Sequence, residues 1–213
     1  MLLAGVLSLL LLRAEPDACR LSFDQGRQQF NERHFDLAAP SFERALKLCP
    51  DAERLSLLLQ IARSQLVAQR VSEALRTIER ALGVDPRNTA ALKVQSDARY
   101  LLGHDEAAAQ PLLAARRIDP KNPEFPYALG RIYYQQHRYA DAVPLFQEAL
   151  ALDSKSYKAY ERWLKRAAEL DTRYAEPHYL LAQAYKKQGA EADALRELDQ
   201  FKRLASSQPR ERK

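Results

Sequence analysis

The sequence predicts an all-α fold, a solenoid of antiparallel helical hairpins. Three observations carry that prediction. Only 6 of the 213 residues are glycine, while Ala, Leu, Arg, Glu and Gln recur throughout, a composition that favours helix. Residue types repeat at a step of 34: Ala74, Ala108 and Ala142; Ile78, Leu112 and Phe146; Ala81, Ala115 and Ala149; Val84, Ile118 and Leu152; Asp85, Asp119 and Asp153. Asp85-Pro86 and Asp119-Pro120 then punctuate the repeat, because proline disfavours helix in the residue before it.

Cut on these columns, the units run 19–52, 55–88, 89–122, 123–156 and 175–208, with Glu53 and Arg54 as two extra residues at the first junction. Each unit reads as two helices. Small residues such as Gly130, Ala142 and Ala149 let the pair approach within about 8–10 Å. Larger ones such as Leu129, Tyr133 and Phe146 fill the remaining space. A single hairpin cannot bury its apolar face, so stacked neighbours complete the core. Pro40, Pro111 and Pro144 fall early in second helices, where each removes a backbone donor.

The period and the residue types resemble the tetratricopeptide-repeat family, whose unit follows W-x2-L-G-x2-Y, then A-x3-F, then P. The closest match is Leu129-Gly130-Arg131-Ile132-Tyr133 followed by Ala142, Phe146, Ala149 and Leu152. Leu181-Ala182-Gln183-Ala184-Tyr185, with Ala194 and Leu198, is nearly as good. The resemblance covers almost all of 19–208 and implies a right-handed superhelical solenoid. The first unit departs from the pattern, with Gln25 and Gln29 where Leu and Tyr are usual. Its second half, Phe35, Ala38, Phe42, Ala45, Leu48 and Pro50, keeps it.

Between units the period fails once. Residues 157–174 form a truncated unit whose Leu164, Ala167, Leu170 and Asp171 repeat Phe146, Ala149, Leu152 and Asp153 at a spacing of 18. A deletion during evolution, or an artefact of how the gene was delimited, accounts for it, and a natural single-helix insertion is the alternative. Either way, one continuous helix from about Lys155 to Leu170 is expected. The last hairpin then cannot stack on 123–156 in the usual register, so it packs at an altered angle or leaves an apolar edge exposed.

At the N-terminus, Leu2 to Leu12 is an unbroken apolar and small-residue run followed by Arg13 and Ala14. It is too short to span a bilayer as a helix, and its length suits the apolar core of a secretory signal. The expectation is a signal segment over 1–18 and an exported, periplasmic or secreted protein, with a membrane involved only through that signal. A buried packing helix in a cytoplasmic protein is the alternative. Residues 209–213 read as a disordered basic tail.

No catalytic, metal-binding or cofactor-binding constellation is expected. The four histidines, His34, His104, His137 and His178, are dispersed and lack partners at ligand spacing, so they read as solvated turn residues. A phosphate-binding glycine loop and a nucleophile motif are both missing from the sequence. The net charge of +5 comes without charge blocks, so it describes a solvated helical surface rather than a nucleic-acid site. Cys19 and Cys49 begin and end one hairpin, at the same end of it. A disulfide between them is geometrically possible; two unrelated thiols are the alternative.

In proteins of the resembled family the first helices line a concave groove that takes peptides. Projection onto that face selects Phe23, Arg27, Phe30, Arg63, Lys93, Asp97, Tyr100, Tyr127, Arg131, Tyr134, Tyr179, Gln183 and Lys186. Tyrosine interleaved with arginine is rich in binding hot spots, which points to a peptide with aromatic or acidic groups. A Lys/Asn carboxylate clamp is not supported, because Asp97 follows Lys93 by one turn. The expected function is a non-catalytic scaffold or adaptor with protein or peptide partners. The alternatives are a regulatory repeat segment of a larger enzyme such as a glycosyltransferase, or a cytoplasmic adaptor or co-chaperone.

Overall fold

The structure, a computed structural model, describes residues 18–153, 157–170 and 175–207. The expected signal segment, apart from its last residue, and the expected basic tail lie outside the described residues. The chain divides into two compact units, one reaching to Ile118 and one starting at Asp119. The first contains α1 (18–31), α2 (Phe35–Leu48), a short 3-10 turn (Asp51–Glu53), α3 (Arg54–Val67), α4 (Val71–Val84), α5 (Thr89–Leu101) and α6 (Asp105–Ile118). The second contains α7 (Glu124–Gln135), α8 (Tyr139–Leu152), α9 (Tyr157–Leu170), α10 (Glu176–Lys187) and α11 (Glu191–Ser207). The hairpins are α1/α2, α3/α4, α5/α6, α7/α8 and α10/α11, with α9 unpaired in sequence. Among the described residues no helix is long and apolar enough to cross a membrane.

The same backbone device turns every hairpin. Arg33, Gln69, Gly103, His137 and Gly189 all have φ between 59° and 74°, the left-handed conformation that ends a helix. Around each, two N–H groups return to the helix just finished. Gln69 N–H donates to the Leu66 carbonyl (3.1 Å) and Arg70 N–H to Gln65 (2.8 Å); His137 N–H donates to Tyr134 (3.0 Å) and Arg138 N–H to Tyr133 (2.9 Å). Only two of the five positions hold glycine, the residue best suited to this backbone. The junctions between units of the repeat use side chains instead. Asp85 is extended, and its carboxylate accepts from Arg87 N–H at 3.0 Å. Asn88 then caps α5 by accepting from Ala91 N–H at 3.0 Å.

The repeated columns are the core. Ala38, Ala74, Ala108 and Ala142 are fully buried, as are Ala45, Ala81, Ala115 and Ala149. Phe42, Ile78, Leu112 and Phe146 are 0–1% exposed. Opposite the last set stand Gly26, Ala62, Ser96 and Gly130, so a small residue is matched to each bulky one. A Cβ added at Gly26 would lie 2.8 Å from the Phe42 ring, and one at Gly130 would lie 2.7 Å from Phe146. A phenyl ring therefore fits only where the facing helix carries no side chain. Where the facing residue is Ala62, the partner is the slimmer Ile78.

Polar residues in the first two hairpins are equally periodic. Ser41 Oγ donates to Gln29 Oε1 at 2.7 Å, and Thr77 Oγ1 donates to Gln65 Oε1 at 2.8 Å. Gln65, Ser41 and Thr77 are all buried. The glutamine that departs from the family pattern in the first unit is thus bonded across its hairpin. Cys19 and Cys49 are joined in a disulfide, with Cα atoms 4.9 Å apart.

In the second unit, α9 is a single helix where the sequence calls for one. A shared apolar core passes from Tyr134, Val143, Phe146 and Leu150 through Leu164 and Ala167 of α9 to Leu180, Leu181, Ala184 and Tyr185 of α10. α9 thus meets residues of α7 and α8 on one side and of α10 on the other. Tyr185 hydroxyl donates to Glu161 at 3.1 Å, and Lys165 pairs with Glu161 at 2.7 Å. The apolar edge that does open lies on the far side of α10 and α11.

Candidate partner-binding surface

In the first unit the selected residues sit on α1, α3 and α5. Arg27, Arg63 and Asp97 hold equivalent positions on successive first helices. Arg27 is exposed and reaches Asp24 at 3.2 Å. Arg63 is exposed, with no hydrogen bond or ion pair to another described residue. Lys93 and Asp97 pair at 2.8 Å, both about one-third exposed, and Tyr100 is half-buried one turn further on. The arrangement offers cations and one half-buried tyrosine on the first helices of three successive hairpins. Phe23 and Phe30 instead turn inward: Phe23 packs edge-on against Phe42 at 5.8 Å, and Phe30 against Phe35 at 5.1 Å.

The equivalent face of α7 is covered by the chain itself. Trp163 of α9 donates its indole N–H to the Tyr127 hydroxyl at 3.0 Å. Its ring meets Tyr134 edge-to-face at 5.3 Å. The Arg131 guanidinium lies 5.7 Å from the Trp163 ring and 5.9 Å from the Tyr127 ring. Tyr134 is only 6% exposed and belongs to the core, which corrects its selection as a groove residue. The cause is the truncated unit: a lone helix after α8 brings an indole over α7, where an ordinary hairpin places its own first helix. Sequence reasoning overlooked Trp163. The available signal was a single tryptophan in the whole chain, one turn past the first-helix-like stretch Tyr157 to Tyr160.

On α10, Tyr179 is 41% exposed and packs beside Phe201 at 5.2 Å, while Gln183 and Lys186 line an open groove with α11. His178 is not a solvated turn residue: half-buried, its Nδ1 lies 2.7 Å from Glu197. The α9–α10 contact also carries charge. The Lys165 ammonium, bonded to Glu161, is held well above the usual lysine range. The hydrogen bond from Lys165 holds the Glu161 carboxyl below its ordinary value, and burial pushes the Tyr185 phenol up. All three shifts hold the ion pair charged and the phenol protonated near neutrality. This is a structural tie rather than an acid–base pair poised for catalysis.

Helical hairpins on a 34-residue step, turned by one repeated motif and packed on Ala/Phe columns, define a helical-repeat interaction protein. Residues 59–154 of the chain match tetratricopeptide repeats. A tetratricopeptide-repeat family model matches residues 59–123, and a YpiA-like tetratricopeptide-repeat model matches 101–154. Among solved structures, a thermophilic TPR protein of Thermus thermophilus is 24% identical, with 89% of this chain and 98% of that one covered at a TM-score of 0.58. A tetratricopeptide-repeat protein of Parabacteroides merdae is 20% identical over 91% of this chain and 81% of that one, TM-score 0.58. The MamA protein is 14% identical over 90% and 93%, TM-score 0.58. At these identities the likeness is one of fold. None of the curated proteins matches the chain significantly. Tetratricopeptide repeats are in general non-catalytic scaffolds that bind other proteins.

Proposed function

We propose that the chain is a non-catalytic scaffold that takes a peptide segment of another protein on the α1, α3 and α5 face of its first unit. The observation that carries this reading is Arg63, an exposed guanidinium with no protein partner among the described residues, set between Arg27 and the Lys93–Asp97 pair. A free guanidinium binds a carboxylate in a two-pronged, charge-assisted geometry. The partner segment is therefore acidic, with an aromatic or apolar residue to lie against Tyr100. Tyr127 and Arg131 contribute less, because Trp163 covers them.

We place the protein in an exported, oxidising compartment. The Cys19–Cys49 disulfide supports this, since reducing cytosol opens such bonds. N-terminal sequencing of the mature protein tests it: a chain starting at Glu15 or Cys19 is expected, and an intact start at Met1 would return the protein to the cytoplasmic reading. For the binding face, affinity co-purification under crosslinking should identify the partner. Capture should fall at least several-fold with Arg63→Ala and Tyr100→Ala together, at unchanged helicity. Undiminished capture would remove the first-unit face.

A further inference from the structure

The Ala-x3-Phe pair of each of the first four hairpins is buried, yet the fifth copy is open. Ala194 and Leu198, equivalent to Ala74 and Ile78, are half-buried. Leu195, equivalent to Leu75, is 66% exposed. With Tyr179, Ala182 and Lys186 they line a groove of about 420 Å³ along α10 and α11.

The chain itself contains a filled copy of this groove. On the α3/α4 hairpin, Leu59, Leu66 and Leu75 stand where Tyr179, Lys186 and Leu195 stand on α10/α11. There they close around Ala62, Ile78 and Ala81 together with Ala91 and Val94 of α5. The occupant of the filled copy is thus an amphipathic helix whose buried stripe carries small or β-branched residues at i and i+3. Small residues let the helix axis come close, and the long residues of the hairpin wrap its sides.

We propose that the α10/α11 groove is a second docking site, and that its occupant is an amphipathic helix of a partner protein bearing an Ala/Val-type stripe like that of α5. An extended peptide is a poor fit, because an all-helical groove presents no strand edge and the equivalent site on α3/α4 is filled by a helix. A second copy of this chain docking through its first helix is disfavoured by chemistry. The α1 positions equivalent to Ala91 and Val94 are Leu21 and Asp24, and Asp24 is engaged with Arg20 and Arg27 at 3.8 and 3.2 Å. A carboxylate in the centre of the stripe would be buried against Leu198 and Ala194 at high cost. This inference does not rest on the α1/α3/α5 face, and variants at Arg63 and Leu195 separate the two.

The test uses the full chain, isotopically labelled, and a helix-stapled peptide of Thr89–Leu101 as probe. Saturable chemical-shift changes are expected at Tyr179, Ala194, Leu195 and Leu198. Leu195→Glu, an exposed position whose change spares the fold, should weaken binding at least tenfold, and Arg63→Glu should leave it unchanged. Absence of binding, or binding that maps elsewhere and ignores Leu195→Glu, would overturn the proposal. So would light scattering showing a doubled mass that Leu195→Glu returns to one chain, since the groove would then belong to a second copy.

Discussion

The α5 and α7 helices occupy the same position in their repeats, and both carry a tyrosine at the equivalent positions Tyr100 and Tyr134, yet they meet different surroundings. Around α5, Lys93, Asp97 and Tyr100 are half-buried with no indole over them, and Arg63 of α3 is exposed. Around α7, Tyr127, Arg131 and Tyr134 are gathered under Trp163. The contrast arises from the neighbouring elements rather than from the helices themselves. In a repeat protein a binding face is defined by the element that fails to cover it, so one truncated unit can remove a stretch of groove without altering the helix that forms it.

The two units also hold their hairpins together differently, and this gives ways to break the comparison. The largest effect should come from reducing Cys19–Cys49. Opening a loop of this length costs roughly 3–4 kcal/mol in the chain-entropy model. Loss of hydrogen-exchange protection should be confined to α1 and α2, and uniform loss along the chain would show that the bond does more than staple one hairpin. Next, Trp163→Ala should destabilise the second unit by about 3 kcal/mol, as expected for removing a large packed aromatic. It should also raise the solvent accessibility of Tyr127 and Tyr134, measured by fluorescence quenching. Unaltered quenching would show that the indole does not cover them.

The size match across the hairpin is the next to test. Gly130→Ala forces a methyl to within 2.7 Å of Phe146 and should cost about 1–3 kcal/mol by overpacking. Phe146→Leu added to it should recover part of that loss, because the Ser96 and Leu112 positions already use a larger–smaller pairing. If the double variant is no better than the single, the columns are not coupled. In the first unit, Gln65→Ala strands the Thr77 hydroxyl and should cost about 1–2 kcal/mol. A double-mutant cycle with Thr77→Val would expose the coupling.

The smallest effect is electrostatic. Glu161 has its folded pKa lowered, first by the hydrogen bond from Lys165, so its contribution is present above the ordinary carboxylate pKa and is lost as pH falls through the lower folded value. The pair is half-exposed on its lysine side, so the loss should stay under about 1 kcal/mol. Glu161→Gln should flatten that acid limb in urea melts between pH 5 and pH 2, about the range in which a carboxylate titrates. An unchanged limb would assign it to other carboxylates.

How far the sequence was legible depends on whether a feature repeats. The Ala38-to-Ala149 columns, the Asp-Pro junctions and the Gly130–Phe146 approach each recur, so the burial of the columns and the place of the junctions could be read from spacing alone. The lone helix over 157–170 was legible too, because it keeps the second-helix residues Leu164 and Ala167. Tyr134 was misplaced for the opposite reason. Its exposure depends on Trp163, which occurs once and has no counterpart in any other unit. The Gln29–Ser41 and Gln65–Thr77 bonds were readable in principle as a twelve-residue spacing repeated in adjacent hairpins. They were hidden by treating glutamine as a departure from an apolar pattern.

The most direct test compares the two equivalent arginines against a partner recovered by crosslinking. Arg63→Glu and Arg131→Glu should each leave helicity intact. Binding measured by titration calorimetry should weaken at least tenfold for Arg63→Glu and less than twofold for Arg131→Glu. Equal losses for the two, or a larger loss for Arg131→Glu, would contradict the account that Trp163 covers Arg131 while Arg63 stays open to a partner.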